Sequence, residues 1–319
     1  MIAYSVSTHS TKGEGVSFYL IIIDKGELYM FIKDIFLNKR LTISFELFPP
    51  KDDKNFEGIN STIEELKKLN PDFISVTYGA GGSSRSRTIE LASIIKNKYD
   101  IETIAHLTCI TSSKEEINSI LNDLKLNNIS NVLALRGDIP KDFKIKESFK
   151  YAKDLIYEIS QRKDFSISAA AYPEGHVECV DIGKNIEYLK EKVEKGADFL
   201  ITQLFFDNDN FYNFREELYK NNINVPIVTG IIPVLDKKQI ERIAILSGAV
   251  IPRKIKRIMD KYEHSPEALK EAGIAYTSEQ IVDLISNDVQ GIHLYTMNKH
   301  NAVKEIMENI QELRKIVNS

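Results

Sequence analysis

The sequence predicts a closed (β/α)8 TIM barrel of the α/β class, and three observations carry that reading. Eight short runs rich in β-branched and aromatic residues recur: Thr42–Leu47, Phe73–Tyr78, Thr103–Leu107, Asn131–Leu135, Phe165–Ala171, Phe199–Phe205, Pro226–Ile231 and Ile292–Tyr295. Helical patterns separate them, and strands alternating with helices make a parallel sheet. Polar residues suited to chemistry collect where the runs end, which is the working end of such a barrel.

Taken in order, residues 1–29 read as an N-terminal extension outside the core. Ser, Thr, His and Gly crowd positions 5–17, and a short β-like run stops at Asp24-Lys-Gly26. Met30 opens a better amphipathic segment and is a second candidate initiator, so the barrel is set at residues 30–319. The first run alternates, with Ile43, Phe45 and Leu47 on one face and Thr42, Ser44 and Glu46 on the other. Pro49-Pro50 ends it, because neither residue can donate to a ladder. Glu46 therefore stands at the C-terminal end of a strand, on its polar face.

Later connections carry apolar stripes at helical spacing, among them Ile63-Leu66-Leu69, Ile117-Ile120-Leu121-Leu124 and Ile186-Leu189-Val193. Only the link from the seventh run to the eighth is long, with helical patterns at 237–246 and 265–287. No linker rich in proline or glycine divides the core, so one domain is expected, with extra helices in that last link. A doubly wound sheet is the rival architecture, and it would announce a dinucleotide site with G-x-G-x-x-G after the first strand. The glycine cluster here, Gly79-Ala-Gly-Gly82, follows the second run with different spacing. It reads either as a flexible loop or as one facing a ligand.

Composition narrows the class. The chain is 43% hydrophobic and 28% charged, with a net charge of −4, so nothing points to nucleic acid. Two cysteines, Cys109 and Cys179, form neither a disulfide framework nor a metal pattern. The longest apolar run, Val16–Ile23, is too short to span a bilayer, and the start lacks the positive charge of a secretory signal. A cytoplasmic protein without a metal and without a membrane partner is expected, assembled as a homo-oligomer.

The candidate site residues stand at the strand ends: Glu46, Thr77, His106, Arg136-Gly137-Asp138, Tyr172, His176, Gln203 and Tyr295. Each alone is consistent with packing. Seven of the eight strands delivering them to one rim is consistent with a large polar pocket. The triplet 136–138 is the most informative, because Arg suits bidentate phosphate binding, Gly admits close backbone approach, and Asp accepts paired N–H donors.

Seven segments in order complete the pattern: Ser44-Phe-Glu-Leu-Phe-Pro-Pro50, Val76-Thr-Tyr-Gly-Ala80, His106-Leu-Thr-Cys109, Ala134-Leu-Arg-Gly-Asp138, Ala171-Tyr-Pro-Glu-Gly-His176, Ile201-Thr-Gln203 and Leu294-Tyr-Thr-Met-Asn298. Together they resemble 5,10-methylenetetrahydrofolate reductase in its short bacterial form, over about residues 40 to 300. The resemblance implies an FAD enzyme that takes hydride from NADH or NADPH and reduces 5,10-methylenetetrahydrofolate to 5-methyltetrahydrofolate for methionine synthesis. It implies Glu46 as general acid and Asp138 as a second catalytic group. For FAD it implies Thr77, His106, Arg136, Gly137, Asp138, Tyr151, Ala152, Tyr172, His176, Asn185 and Lys192. For the folate it implies Glu46, Asp138, Gln203, Gln239, Tyr295 and Lys299. Three positions depart from the family pattern: Asn185 replaces an Asp, Ile243 an aromatic, and Lys299 an Arg. A barrel reductase fed by a partner flavoprotein or ferredoxin, and a non-catalytic folate- or flavin-binding barrel, are the alternatives.

Overall fold

Alternation within each run builds the barrel wall. The computed structural model describes residues 31–50, 56–78, 84–139, 149–179 and 181–319, with short strands at Ile2–Ala3, Ile22–Asp24 and Glu27–Tyr29. The barrel strands are β1 (Thr42–Leu47), β2 (Phe73–Val76), β3 (Thr103–Thr108), β4 (Asn131–Leu135), β5 (Ser166–Ala171), β6 (Phe199–Thr202), β7 (Ile227–Ile231) and β8 (Gly291–Tyr295). Each pairs in parallel with its neighbours in chain order, and β8 closes on β1. Ile43, Phe45 and Leu47 are fully buried in the layer between strands and helices. Thr42, Ser44 and Glu46 belong to the opposite, inward face.

Two strands end earlier than their sequence runs. β2 stops at Val76 and β6 at Thr202, so Thr77 and Gln203 lie just past the sheet. Their amides still continue it, Thr77 N donating to Leu47 O at 3.0 Å and Gln203 N to Ala171 O at 2.7 Å. The last link holds three helices rather than two, Lys237–Ser247, Arg253–Lys261 and Pro266–Ser286. The middle one escapes a periodicity reading because only Ile255 and Met259 of its nine residues are buried. The boundary set at residue 29 and the Gly79-Ala-Gly-Gly82 loop fall largely outside the described residues. The short strands among residues 2–29 pair antiparallel in a three-stranded sheet of their own.

The helix Ile32–Asn38 packs Ile32 and Ile35 against Phe73, Ile104, Phe199 and Val228. These residues lie at the beginnings of β2, β3, β6 and β7, so the helix plugs the N-terminal mouth. Its first amide donates to Asn131 Oδ1 at 2.8 Å, which gives a buried donor its partner. The opposite mouth stays open. There a second apolar cluster, including Leu204, Ile232, Ile240, Ala244, Ile255 and Leu269, fixes the helix Lys237–Ser247 on the rim.

Gly273 lets the long helix Pro266–Ser286 approach this rim. A Cβ at Gly273 would stand 1.7 Å from Val234 O, a backbone atom that cannot swing aside. Gly273→Ala is therefore expected to destabilise the fold by about 1–3 kcal/mol through overpacking. A melting temperature equal to that of the unsubstituted protein would refute the close approach.

Candidate active site

The inward face of β1 places Glu46 at the inner end of a cavity of about 1200 Å³, with only 6% of the residue exposed. The backbone that carries it is held by its own strand and by the β8 loop. Thr296 Oγ1 donates to Glu46 O at 2.6 Å, and Asn298 brackets Phe48 through both its amide nitrogen and its carbonyl oxygen. Oε2 of Glu46 lies 3.6 Å from His106 Nε2 and 3.8 Å from His293 Nε2, in each case beyond hydrogen-bond length. Burial pushes His106 down to about 4 against the opposing pull of Glu46, so its ring is neutral at pH 7. Its Nε2 is buried without a hydrogen-bond partner. A polar atom left open on a cavity wall marks where a ligand or water group belongs.

His293 is a site neighbour that the sequence reading missed. It is 1% exposed, and its Nδ1 lies 2.7 Å from Ser44 Oγ and its Nε2 3.3 Å from Ser75 Oγ. The two hydroxyls fix the ring behind Glu46. The only signal in the sequence is alternation, since His293 shares the inward face of β8 with Tyr295.

Thr77, Asp138, Gln203, Gln239 and Tyr295 line the same cavity. Gln203 Oε1 accepts from Leu204 N at 2.9 Å, which turns the amide group and leaves its NH2 without a described partner. Asp138 is exposed to the cleft and forms no hydrogen bond among the described residues. Tyr295 is different, because its hydroxyl donates to Thr202 O at 2.8 Å and its ring meets His293 edge-on. It forms wall, with its donor already used. Lys299 does not line the cavity; its Nζ donates to Gln239 Oε1 at 3.4 Å from the rim.

A second cavity of about 550 Å³ adjoins the first, and the two share Leu135, Arg136, Ala170, Tyr172 and His176. Tyr151, Ala152, Asn185 and Lys192 line the second. Gly137 has φ +84°, and a Cβ there would meet Thr108 Cβ at 2.9 Å, so the turn between Arg136 and Asp138 needs glycine. Arg136 forms a bidentate pair with Glu178, at 2.5 and 2.9 Å. Lys192 has no carboxylate partner. Its Nζ donates to Ala170 O at 2.9 Å and stands 5.6 Å from the Tyr172 ring centroid, and burial pushes its pKa down to about 8. Asn185 braces the loop before its own helix, Nδ2 donating to Cys179 O and Asp181 O while Oδ1 accepts from His176 N. An aspartate could not make both donations. Among the described residues no group of three or more His, Cys, Asp or Glu is arranged to hold a metal ion.

A carboxylate and a neutral imidazole thus stand where (β/α)8 enzymes keep their reactive groups, beneath a cleft sized for a small organic molecule. By fold and site the molecule is of the barrel-enzyme class. More narrowly, the chain belongs to the methylenetetrahydrofolate reductase family, whose profile matches residues 31–311. It is 36% identical over 263 residues to 5,10-methylenetetrahydrofolate reductase of Pectobacterium carotovorum subsp. carotovorum, covering 82% of this chain and 88% of that protein. It is 35% identical over 260 residues to the Escherichia coli (strain K12) reductase, covering 82% and 87%. The Arabidopsis thaliana methylenetetrahydrofolate reductase (NADH) 1 is 34% identical over 294 residues, where 88% of this chain matches half of the plant protein. Among solved structures, a Clostridium thermocellum protein described as binding two copies of 5-methyl-5,6,7,8-tetrahydrofolic acid superposes with a TM-score of 0.61. At 17% identity, with 88% of this chain and 98% of that chain covered, that likeness shows the shared fold. No described helix is long and apolar enough to cross a membrane.

Proposed function

We propose that this chain reduces 5,10-methylenetetrahydrofolate to 5-methyltetrahydrofolate with FAD as its cofactor and NADH or NADPH as donor, so that the product can serve methionine synthesis. The observation that carries the reading is Glu46, a buried carboxylate aimed into a cleft beside an imidazole that burial keeps neutral. The substrate's methylene carbon is held by two nitrogens, and one C–N bond must open before that carbon can accept hydride. Glu46 delivers a proton to N10, which opens the bond and leaves a cation at N5. The carboxylate then faces that cation and stabilises it. Asp138 and Gln203 suit a heterocycle's edge, Asp138 by accepting N–H groups and Gln203 by donating its free NH2.

The second cavity fits a cofactor that carries a diphosphate. Lys192 is a half-buried cation without an anion, and Arg136, on the wall common to both cavities, has its fork on the exposed Glu178, which a phosphate would displace. These two would hold the phosphates, with Tyr172 and His176 as the wall beside them. FAD, when bound, supplies the hydride chemistry.

An anaerobic absorption experiment tests the reading. The purified protein, loaded with FAD, is expected to show oxidised flavin bands that NADH or NADPH bleaches and that methylenetetrahydrofolate restores, with 5-methyltetrahydrofolate as product. Bleaching without recovery by the folate would overturn the substrate. Failure of both nucleotides, with recovery of activity on a reduced ferredoxin or flavoprotein, would move the donor to a partner protein.

A further inference from the structure

We propose that Glu178 is an internal stand-in for a cofactor phosphate. Its carboxylate occupies the Arg136 fork in the empty site and competes with the diphosphate for it, so the protein holds FAD more loosely than its cations alone would allow. The inference rests on the reading of the second cavity as the cofactor site. Each of the three guanidinium nitrogens of Arg136 is engaged. The two terminal ones donate to Glu178 at 2.5 and 2.9 Å, and Nε donates to Gly137 O at 3.2 Å. A carboxylate and a phosphate both present a pair of oxygens to a guanidinium, so one fork serves either.

The pair is built so that one partner can leave. The side chain of Arg136 is 24% exposed and that of Glu178 55%, so the guanidinium belongs to the wall and the carboxylate to the solvent side. The backbone beneath Glu178 is fixed without help from its carboxylate. Glu178 N donates to His176 Nδ1 at 3.1 Å, Cys179 N to His176 O at 2.8 Å, and His176 N to Asn185 Oδ1 at 3.0 Å. Release of Arg136 therefore needs only rotation of one exposed side chain. The loop that carries Tyr172 and His176 keeps its place.

The charges around the cavity set the cost. Arg136, Lys153 and Lys192 line it together with two carboxylates, Glu178 and Glu191. Lys153 Nζ donates to Glu191 at 2.7 Å, and that pair ties the helix Ala152–Ser160 to the helix Ile182–Glu194. Among the described residues Lys192 is thus the one lining cation without a carboxylate. Glu178 differs from Glu191 in standing on a loop, so its pair opens without loosening a helix. A diphosphate takes Arg136 only in the fraction of molecules where the fork is free, and its apparent affinity falls by that fraction. Once displaced, Glu178 remains tethered beside the phosphates as a like charge, which weakens binding further.

The test is calorimetric titration of the apo protein with FAD and with riboflavin, which carries the flavin ring and no phosphate. The unsubstituted protein, Glu178→Gln, Arg136→Gln and the double variant are compared. Glu178→Gln is expected to bind FAD roughly two- to tenfold more tightly, as loss of an exposed ion pair and of one like charge allows. Riboflavin affinity is expected to stay within twofold, and the gain for FAD to shrink when Arg136 is already glutamine. Release of FAD on dilution, followed by the return of flavin fluorescence, should slow in Glu178→Gln by a similar factor. Unchanged or weaker FAD binding in Glu178→Gln would overturn the proposal, making Glu178 a group that orients Arg136 for the phosphate. An equal gain for riboflavin, or a gain undiminished without Arg136, would overturn it as well. Absence of FAD binding by the unsubstituted protein would instead defeat the cofactor reading beneath it.

Discussion

Glu46→Gln is expected to slow reduction of methylenetetrahydrofolate by about 10²–10⁴-fold, the usual worth of a general acid. Bleaching by NADH or NADPH should stay within a few-fold, because hydride delivery to the cofactor needs no proton from the protein. Glutamine keeps the size of the side chain and has no acidic proton to give. The site should tolerate it, since Oε2 makes no hydrogen bond to either neighbouring histidine, at 3.6 and 3.8 Å. Stopped-flow measurement of each half-reaction separates the possibilities. Equal loss in both halves would make Glu46 a positioning residue for the cofactor, and no loss on the folate side would remove it as the acid.

The barrel was legible because its two layers obey different periods. In β1 the alternation alone put Ile43, Phe45 and Leu47 outward and Glu46 inward, and the structure has that arrangement. Strand ends were less legible. Phe199–Phe205 continues as an apolar run, yet the sheet stops at Thr202 because Leu204 and Phe206 turn to pack under the rim helices. Hydrophobic runs report burial, and burial continues past the last ladder bond.

Which residues reach the cleft was largely readable, while what each touches was not. The candidates line one or other of the two cavities except Lys299, because parallel strands all deliver their C-terminal ends to one rim. Side-chain partners depend on register across the closure. His293 sits between Ile292 and Leu294 and reads as core, but the closure of β8 on β1 sets it opposite Ser44. Glu178, 42 residues beyond Arg136, gave no hint that it holds the guanidinium. Asn185 could be read as a weakened aspartate; in the fold its NH2 staples two carbonyls, a task only the amide can do.

Lys192→Met is expected to have opposite effects on the apo protein and on cofactor binding. In the apo protein the ammonium has a single described hydrogen bond, to Ala170 O, and no carboxylate. Its fall from the ordinary 10.5 to about 8 corresponds to about 3–4 kcal/mol held against the charged form. Because the folded-state value is the lower one, the folded protein releases this proton first. Between about pH 8 and 10.5 the unfolded chain holds more protons, so this group makes the apo protein gain stability as pH rises through that window. Methionine has similar length and no charge, and is expected to raise the apo melting temperature at pH 7 by a few degrees. A phosphate beside Lys192 reverses the balance, since an anion favours the ammonium. FAD affinity should therefore be greatest below about pH 8 and decline above it in the unsubstituted enzyme. The variant should lose roughly ten- to a hundredfold of that affinity, the worth of one charge-assisted bond, together with the pH dependence. Calorimetric titration of the apo protein with FAD at pH 7 and pH 9, beside thermal melts of both proteins, reads the two effects separately. Unchanged FAD affinity would take Lys192 away from the phosphates, whereas a lowered apo melting temperature would make its bond to Ala170 O a structural one.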